Sequence, residues 1–154
     1  MEMFFENYFE RLQSLHAEIE KAIEGLQPTA LDWVPGADMN PMGVLVVHAI
    51  GAERFWIGDV ALGDPSGRDR PAEFRTRGLE AEALIARLRG QNEYVRGALG
   101  RLSTSDLERT RLSPRDGKAY PLVWCLFHAL DHTALHLGHV QMTRQLWDQK
   151  GAAT

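Results

Sequence analysis

The chain has 154 residues, of which 44% are hydrophobic and 25% are charged, as expected for one globular domain spanning residues 1–154. Its net charge of −4 excludes a general electrostatic attraction to nucleic acid or to an anionic membrane surface. The one cysteine, Cys125, excludes an internal disulfide and is consistent with a reducing compartment.

The N-terminal segment MEMFFENYFE does not resemble a secretory signal. It is acidic, and it lacks the apolar run and the small-residue cleavage site that such a signal needs. The most apolar run of the chain, Met42 to Ala52, is too short to span a bilayer. We therefore expect a cytoplasmic protein that has neither nucleic-acid nor membrane partners.

Apolar residues at alternating spacings of three and four predict a first helix from Met3 to Gly25, with His16 at the edge of its apolar stripe. An irregular crossing follows, and its Trp33 is expected to anchor it in the core. Asn40 and Pro41 form a typical helix start, so a second helix should begin there and run to about Leu62.

The second half of the chain predicts two more long helices. The first runs from about Thr76 to Leu99, and the second opens at Pro121. Between them we expect a short capped turn at Ser103 and a tight turn over residues 113–118 that links two short extended pieces. Four long helices with long connections predict an all-α fold, a four-helix bundle. The arginines and acids that alternate between Ser66 and Arg101 indicate a solvated helix face.

The last predicted helix carries four of the six histidines of the chain. His128, His132, His136 and His139 fall at about 0°, 40°, 80° and 20° around an α-helix, so all four point into one narrow arc. The same arc contains Leu135, which a soluble helix normally turns toward its core. The histidines are therefore predicted to face inward.

Buried histidines need a hydrogen-bond partner or a metal ion to replace lost hydration. His132 and His136 have the i, i+4 spacing that lets two imidazoles converge on one ion, and His48 of the second helix also points toward the core. Three imidazoles leave a coordination position open, and zinc, nickel and ferrous iron all accept these ligands. The alternative is a purely structural bundle in which these histidines are hydrogen-bonded core residues.

Four further residues each have more than one interpretation. His139 is a candidate fourth ligand, an outer hydrogen-bond partner of a ligand or a proton shuttle. His128 competes for the same role at the metal, as a ligand or an outer hydrogen-bond partner, but is expected rather to pack or hydrogen-bond within the core. Glu53 is a candidate general base or a member of a surface or interhelix ion pair. Cys125, without an activating charge, is expected to be a small buried hydrophobe rather than a nucleophile.

Two separated motifs carry a resemblance to a known family. The run LDWVPGADMNPMGVLVVHAIGAERFW resembles the second-helix signature of the DinB/YfiT-like superfamily, and FHALDHTALHLGHVQMTRQL resembles its last-helix signature. The second motif is most similar to the mycothiol-transferase-like branch. Leu137 and His139 stand where many relatives have arginine and glutamine, which favours that branch.

The resemblance implies a DinB-type four-helix bundle, often a homodimer, with a divalent metal held by His48, His132 and His136. It also implies a low-molecular-weight thiol such as mycothiol or bacillithiol, since relatives include thiol S-transferases and a mycothiol-dependent maleylpyruvate isomerase. We therefore expect a metal-dependent S-transferase or isomerase that acts on a small-molecule substrate. The competing hypothesis is a non-catalytic metal-binding bundle with a role in stress response.

Overall fold

A computed structural model describes residues 1–152 of the protein. Helices dominate it, which confirms the predicted all-α fold class. The long helices are α1 (Met3–Ile23), α3 (Met42–Arg54), which continues as a π-helical segment (Phe55–Leu62), α5 (Ala81–Leu99) and α6 (Leu122–Ala152). The short elements are α2 (Pro28–Leu31), α4 (Arg70–Phe74), a 3-10 turn (Thr104–Asp106) and the strands β1 (Thr110–Leu112) and β2 (Ala119–Pro121).

Helix α1 follows the apolar spacing in its sequence. The residues at this spacing are buried against the rest of the bundle, as Leu12 and Ile19 illustrate with no exposed surface. The helix ends at Ile23, slightly before the predicted end, because Gly25 takes a left-handed conformation with φ of 71° that an α-helix does not allow.

Helix α3 begins at Met42, and Asn40 is not its N-cap. Pro41 occupies the capping position with an extended backbone, and its carbonyl accepts the first helical hydrogen bond from the Leu45 amide at 3.1 Å. A residue before proline is kept out of the helical region, which leaves Asn40 outside the helix. From Phe55 onward the turns widen into the π-helical segment, which ends at Gly63 with φ of 66°.

The connection between α3 and α5 contains a helix that the sequence analysis did not predict. Asp69 caps α4 by accepting a hydrogen bond from the Ala72 amide at 3.0 Å. Gly78 then adopts φ of 72°, so α5 begins at Ala81 rather than at Thr76. The extra helix turns residues 70–74 toward α3.

The predicted turns between α5 and α6 are confirmed. Ser103 and Asp106 form a reciprocal capping box around the 3-10 turn. Strands β1 and β2 then pair antiparallel, with Arg111 opposite Tyr120. This small hairpin leads directly into α6, which begins one residue after Pro121.

All four long helices contribute to one apolar core, but two predicted core residues lie elsewhere. Trp33 is only partly buried and packs its ring on Trp147, with ring centroids 5.6 Å apart. Leu135 is 56% exposed. Helix α6 instead buries Leu126, Ala129 and other residues of an adjacent stripe. Apolar residues occur almost all around α6, so its buried face was poorly defined by the sequence.

The histidines of α6 therefore lie beside its buried stripe, between the core and solvent. His128, His132 and His136 are partly buried, and His139 is exposed. The prediction that all four face inward is correct only in part. Within residues 1–152, none of the helices combines the length and the apolarity needed to cross a membrane.

Candidate metal centre

Three imidazole rings from α3 and α6 meet at this boundary. Potential ligand nitrogens of His48, His132 and His136 all lie within 4.8 Å of one another. The Nε2 atoms of His132 and His136 are 3.2 Å apart. The ring of His48 packs 5.1 Å from each of the other two, measured between centroids. The structure thus brings together the three residues that the sequence singled out as candidate ligands.

The donor set fits a divalent cation. At a metal–nitrogen distance of about 2.0–2.1 Å, two nitrogens 3.2 Å apart subtend an angle of about 100–105° at the ion, close to tetrahedral. The Nδ1 atoms of His132 and His136 are buried without a hydrogen-bond partner among the described residues. A cation bound at Nε2 supplies the favourable interaction that buried imidazoles otherwise lack.

The electrostatic surroundings keep the two α6 rings neutral. Burial, together with the neighbouring histidines, lowers the pKa of His132 to about 3. Burial and the nearby His48 and His139 lower the pKa of His136 to about 4. Neutral imidazole is the form that binds a metal ion, so both lone pairs are available near neutral pH.

Behind His48 lies a buried ion pair that the sequence analysis missed. Glu73 of α4 is 2.8 Å from His48 Nδ1 and accepts two hydrogen bonds from Arg68, at 2.6 and 2.9 Å. Burial raises the pKa of Glu73, but the hydrogen bonds from Arg68 and His48 outweigh it and hold that pKa below its usual value.

The prediction of a solvated face is therefore wrong for Arg68 and Glu73. Their side chains are only 11% and 8% exposed. The sequence did contain one signal of this arrangement, because Asp69 followed by Pro71 is a plausible helix start. A helix starting there turns Glu73 back toward α3.

The two remaining histidines of α6 flank the three rings. His128 packs between Trp56 and Trp124, with its ring 4.8 Å from each, and lies 5.7 Å from His132. Burial lowers the pKa of His128, although Asp131 opposes that shift. The exposed His139 lies 5.5 Å from His136. Both rings therefore contact the cluster without belonging to it.

Glu53 is hydrogen-bonded to residues other than the three rings. Its carboxylate accepts hydrogen bonds from Gln91 at 2.9 Å and Thr133 at 3.2 Å, and it pairs with His16 Nε2 at 2.9 Å. Burial lowers the pKa of His16, but the Glu53 carboxylate outweighs it, so that pKa is raised. Glu53 is thus part of a buried interhelix ion pair, and we assign it no role at the centre.

Cys125 is a buried side chain, as predicted. It has no exposed surface, and burial raises the pKa of its thiol to about 11. The thiolate is the nucleophilic form, so this residue is inert at neutral pH.

Two cavities border the flanking histidines. One of about 200 Å³ lies beside His139 and is lined in part by Met39, Leu45 and Met142. The other, about 530 Å³, lies beside His128. Neither cavity is lined by His48, His132 or His136, so each borders only a histidine that flanks the three rings.

The sequence of residues 11–140 matches the family model of the DinB superfamily, and this range contains His48, His132 and His136. The chain belongs to the DinB superfamily. The predicted resemblance is confirmed at this level, whereas the mycothiol branch stays a prediction.

This DinB-superfamily chain is also similar to a solved structure, the crystal structure of a conserved protein from Enterococcus faecalis. The TM-score is 0.74 at 16% identity, and the match covers 95% of this chain and 97% of the other. At this identity the likeness shows the fold alone. None of the curated proteins matches the sequence.

Proposed function

We propose that this DinB-superfamily protein is a divalent-metal-dependent enzyme that uses a small thiol, as an S-transferase or a thiol-dependent isomerase. The observation that carries the proposal is the convergence of His48, His132 and His136 at the edge of the bundle. Three protein ligands leave a coordination position for a water molecule or a substrate, whereas structural zinc sites are usually closed by four protein ligands.

The neutral imidazoles of His132 and His136 and the ring of His48 would hold the cation. All-nitrogen ligation of this kind favours zinc or nickel, and ferrous iron accepts it too. A bound divalent cation lowers the pKa of a thiol that coordinates to it and so supplies a nucleophile near neutral pH.

The surrounding residues favour catalysis on a small molecule. The thiol would lose its proton, and its sulfur would then bond to an electrophilic carbon of the substrate. In a transfer that carbon releases a leaving group with its bonding electron pair, whereas in an isomerisation the electron pair of a C=C bond shifts onto a neighbouring atom and returns when the thiol leaves. His139 is exposed and lies 5.5 Å from His136, where it can accept that proton and pass it to solvent.

The family resemblance supports a proposal for the co-substrate and for the assembly. We propose mycothiol or bacillithiol as the thiol, a small-molecule electrophile as the substrate, a homodimer as the functional state and the cytoplasm as its location. Sedimentation equilibrium at micromolar concentration tests the assembly, and a monomer there would contradict that part of the proposal.

Elemental analysis of untagged protein tests the metal centre. We expect close to one zinc, nickel or iron per chain in the wild type, a strong loss in His132→Ala, and no loss in the control His128→Ala. His128 is a suitable control because it lies on the same helix but outside the cluster. A metal-free wild type purified from metal-replete cells would end the proposal.

A non-catalytic metal-binding bundle is the second candidate. It is favoured by one observation: among residues 1–152, Glu73 is the only carboxylate hydrogen-bonded to the three rings, and it is already paired with Arg68. The two candidates differ in thiol consumption. Turnover of mycothiol or bacillithiol with a generic electrophile, abolished in His132→Ala, supports the enzyme. A chelator-sensitive melting temperature without turnover supports the second candidate.

A further inference from the structure

We propose that Glu73 is a positioning residue that fixes the tautomer of His48 and so presents the Nε2 atom of that ring to the metal. Arg68 and Gly51 assist it, the first by holding the carboxylate and the second by leaving room for it. This inference rests on the proposed metal centre, but its first test does not require a bound metal.

The contact between Glu73 and His48 determines where the imidazole carries its proton. Glu73 Oε2 lies 2.8 Å from Nδ1, and a carboxylate can only accept a hydrogen bond. In the neutral ring Nδ1 therefore carries the hydrogen, and Nε2 keeps a free lone pair. Arg68 Nη2 lies farther from the same nitrogen, at 3.4 Å, and as a donor it would compete for the lone pair only in the other tautomer.

Arg68 holds the carboxylate in a fixed orientation. Its Nε and Nη2 donate to the two different oxygens of Glu73, which is the bidentate geometry that fixes a carboxylate most firmly. Both side chains are largely buried. The carboxylate is therefore held at one place relative to His48 rather than moving among rotamers.

Gly51 supplies the space that this arrangement occupies. It lies one helical turn after His48 on α3, and a Cβ built there would overlap Oε1 of Glu73 and stand 2.9 Å from its Cδ. The same Cβ would lie 3.2 Å from Arg68 Nε. Any larger residue at position 51 must shift the Glu73 carboxylate from its present position beside His48.

The arrangement is asymmetric within the centre. His48 has a carboxylate behind it, whereas the Nδ1 atoms of His132 and His136 have no partner among the described residues. A carboxylate behind a ligating histidine orients the ring and raises its basicity. Glu73 therefore pre-organises the one ligand that α3 contributes.

The tautomer is measured directly by long-range ¹H–¹⁵N correlation spectroscopy of the metal-free protein. The signals of His48 are assigned by their loss in His48→Gln. We expect the Nδ1–H tautomer in the wild type and a shift toward the Nε2–H tautomer in Glu73→Ala. An Nε2–H tautomer in the wild type would overturn the inference, whatever the metal content of the protein.

Metal affinity gives the second test, by competition of zinc between the protein and a chromophoric chelator. Loss of an outer carboxylate weakens metal binding about 10–100-fold. We expect that loss in Glu73→Ala and in Gly51→Ala, and a smaller one in Glu73→Gln, whose amide oxygen can still accept from Nδ1.

Gly90→Ala is the matched control, because a Cβ at this helical position of α5 meets open space. Alanine is a better helix former than glycine, so weaker binding in Gly51→Ala cannot come from a less stable helix. Unchanged affinity in both Glu73→Ala and Gly51→Ala would refute the positioning role. A wild type that binds no zinc would refute the proposed function instead, and the tautomer alone would then decide the role of Glu73.

Discussion

Replacement of Glu53 by alanine should destabilise the protein strongly without emptying the metal centre. In the wild type this carboxylate has no exposed side-chain surface, and it pairs with the buried His16. It also accepts hydrogen bonds from Gln91 and Thr133. The alanine variant leaves a buried imidazolium without its counter-charge and two buried donors without an acceptor.

The expected loss follows from the cost of an uncompensated buried charge. Removal of one partner of a buried ion pair costs about 3–5 kcal/mol. A protein of this size unfolds with a free energy of about 5–15 kcal/mol, so the variant loses a large part of its stability. The melting temperature should fall by about 6–20 °C.

Urea denaturation at pH 6 measures this loss, because His16 is then protonated in the wild type. Glu18→Ala serves as the control, since Glu18 is an exposed carboxylate on α1. Metal content of the folded variant is measured in parallel and should equal that of the wild type. A loss below about 1 kcal/mol, or a metal-free but folded Glu53→Ala, would refute the assignment of Glu53 to a structural ion pair.

Three further predictions concern pH, thiol reactivity and metal binding. The raised pKa of His16 stabilises the folded state fully below its ordinary pKa of about 6.5, and this contribution is lost as the pH rises through the raised value. The difference in unfolding free energy between wild type and His16→Gln should therefore shrink with rising pH, and a constant difference would contradict the assignment. Cys125 should react with a thiol reagent only after denaturation in guanidinium, because it is buried and its pKa is raised to about 11; rapid labelling of the native protein would exclude this. Zinc at about 100 times its dissociation constant should stabilise the wild type by about 2.7 kcal/mol but leave the melting temperature of His136→Ala unchanged, and equal shifts would place the ion elsewhere.

The fold was predictable because local patterns in the sequence agree with the tertiary structure. The apolar spacing of α1 and the turn chemistry around Ser103 and residues 113–118 depend mainly on neighbours in the chain. The three candidate ligands followed from the i, i+4 spacing on α6 and from the core-facing phase of His48. Their convergence required only that α3 and α6 pack side by side.

The residues that surround the candidate metal centre were not predictable, because their positions depend on contacts between segments that are far apart in the sequence. In the sequence, Arg68 and Glu73 belong to a charged segment that is typical of a solvated face. In the structure they are largely buried and lie against Gly51 of α3. Glu53 likewise had two interpretations. The contact that decides between them is made by His16 on α1, which is distant in the sequence. Leu135 was misplaced because a helix with apolar residues on several sides does not reveal which side is buried.

More than half of the chain separates His48 from His132, although their rings lie 5.1 Å apart. A cation held between them would close a very long loop. It gains its full set of ligands only once α3 and α6 have docked against each other. Retention of the ion therefore reports on the docking of α3 with α6. A core substitution remote from the three histidines that promotes unfolding should release the metal too, so metal loss alone does not identify a ligand unless the variant is shown to be folded.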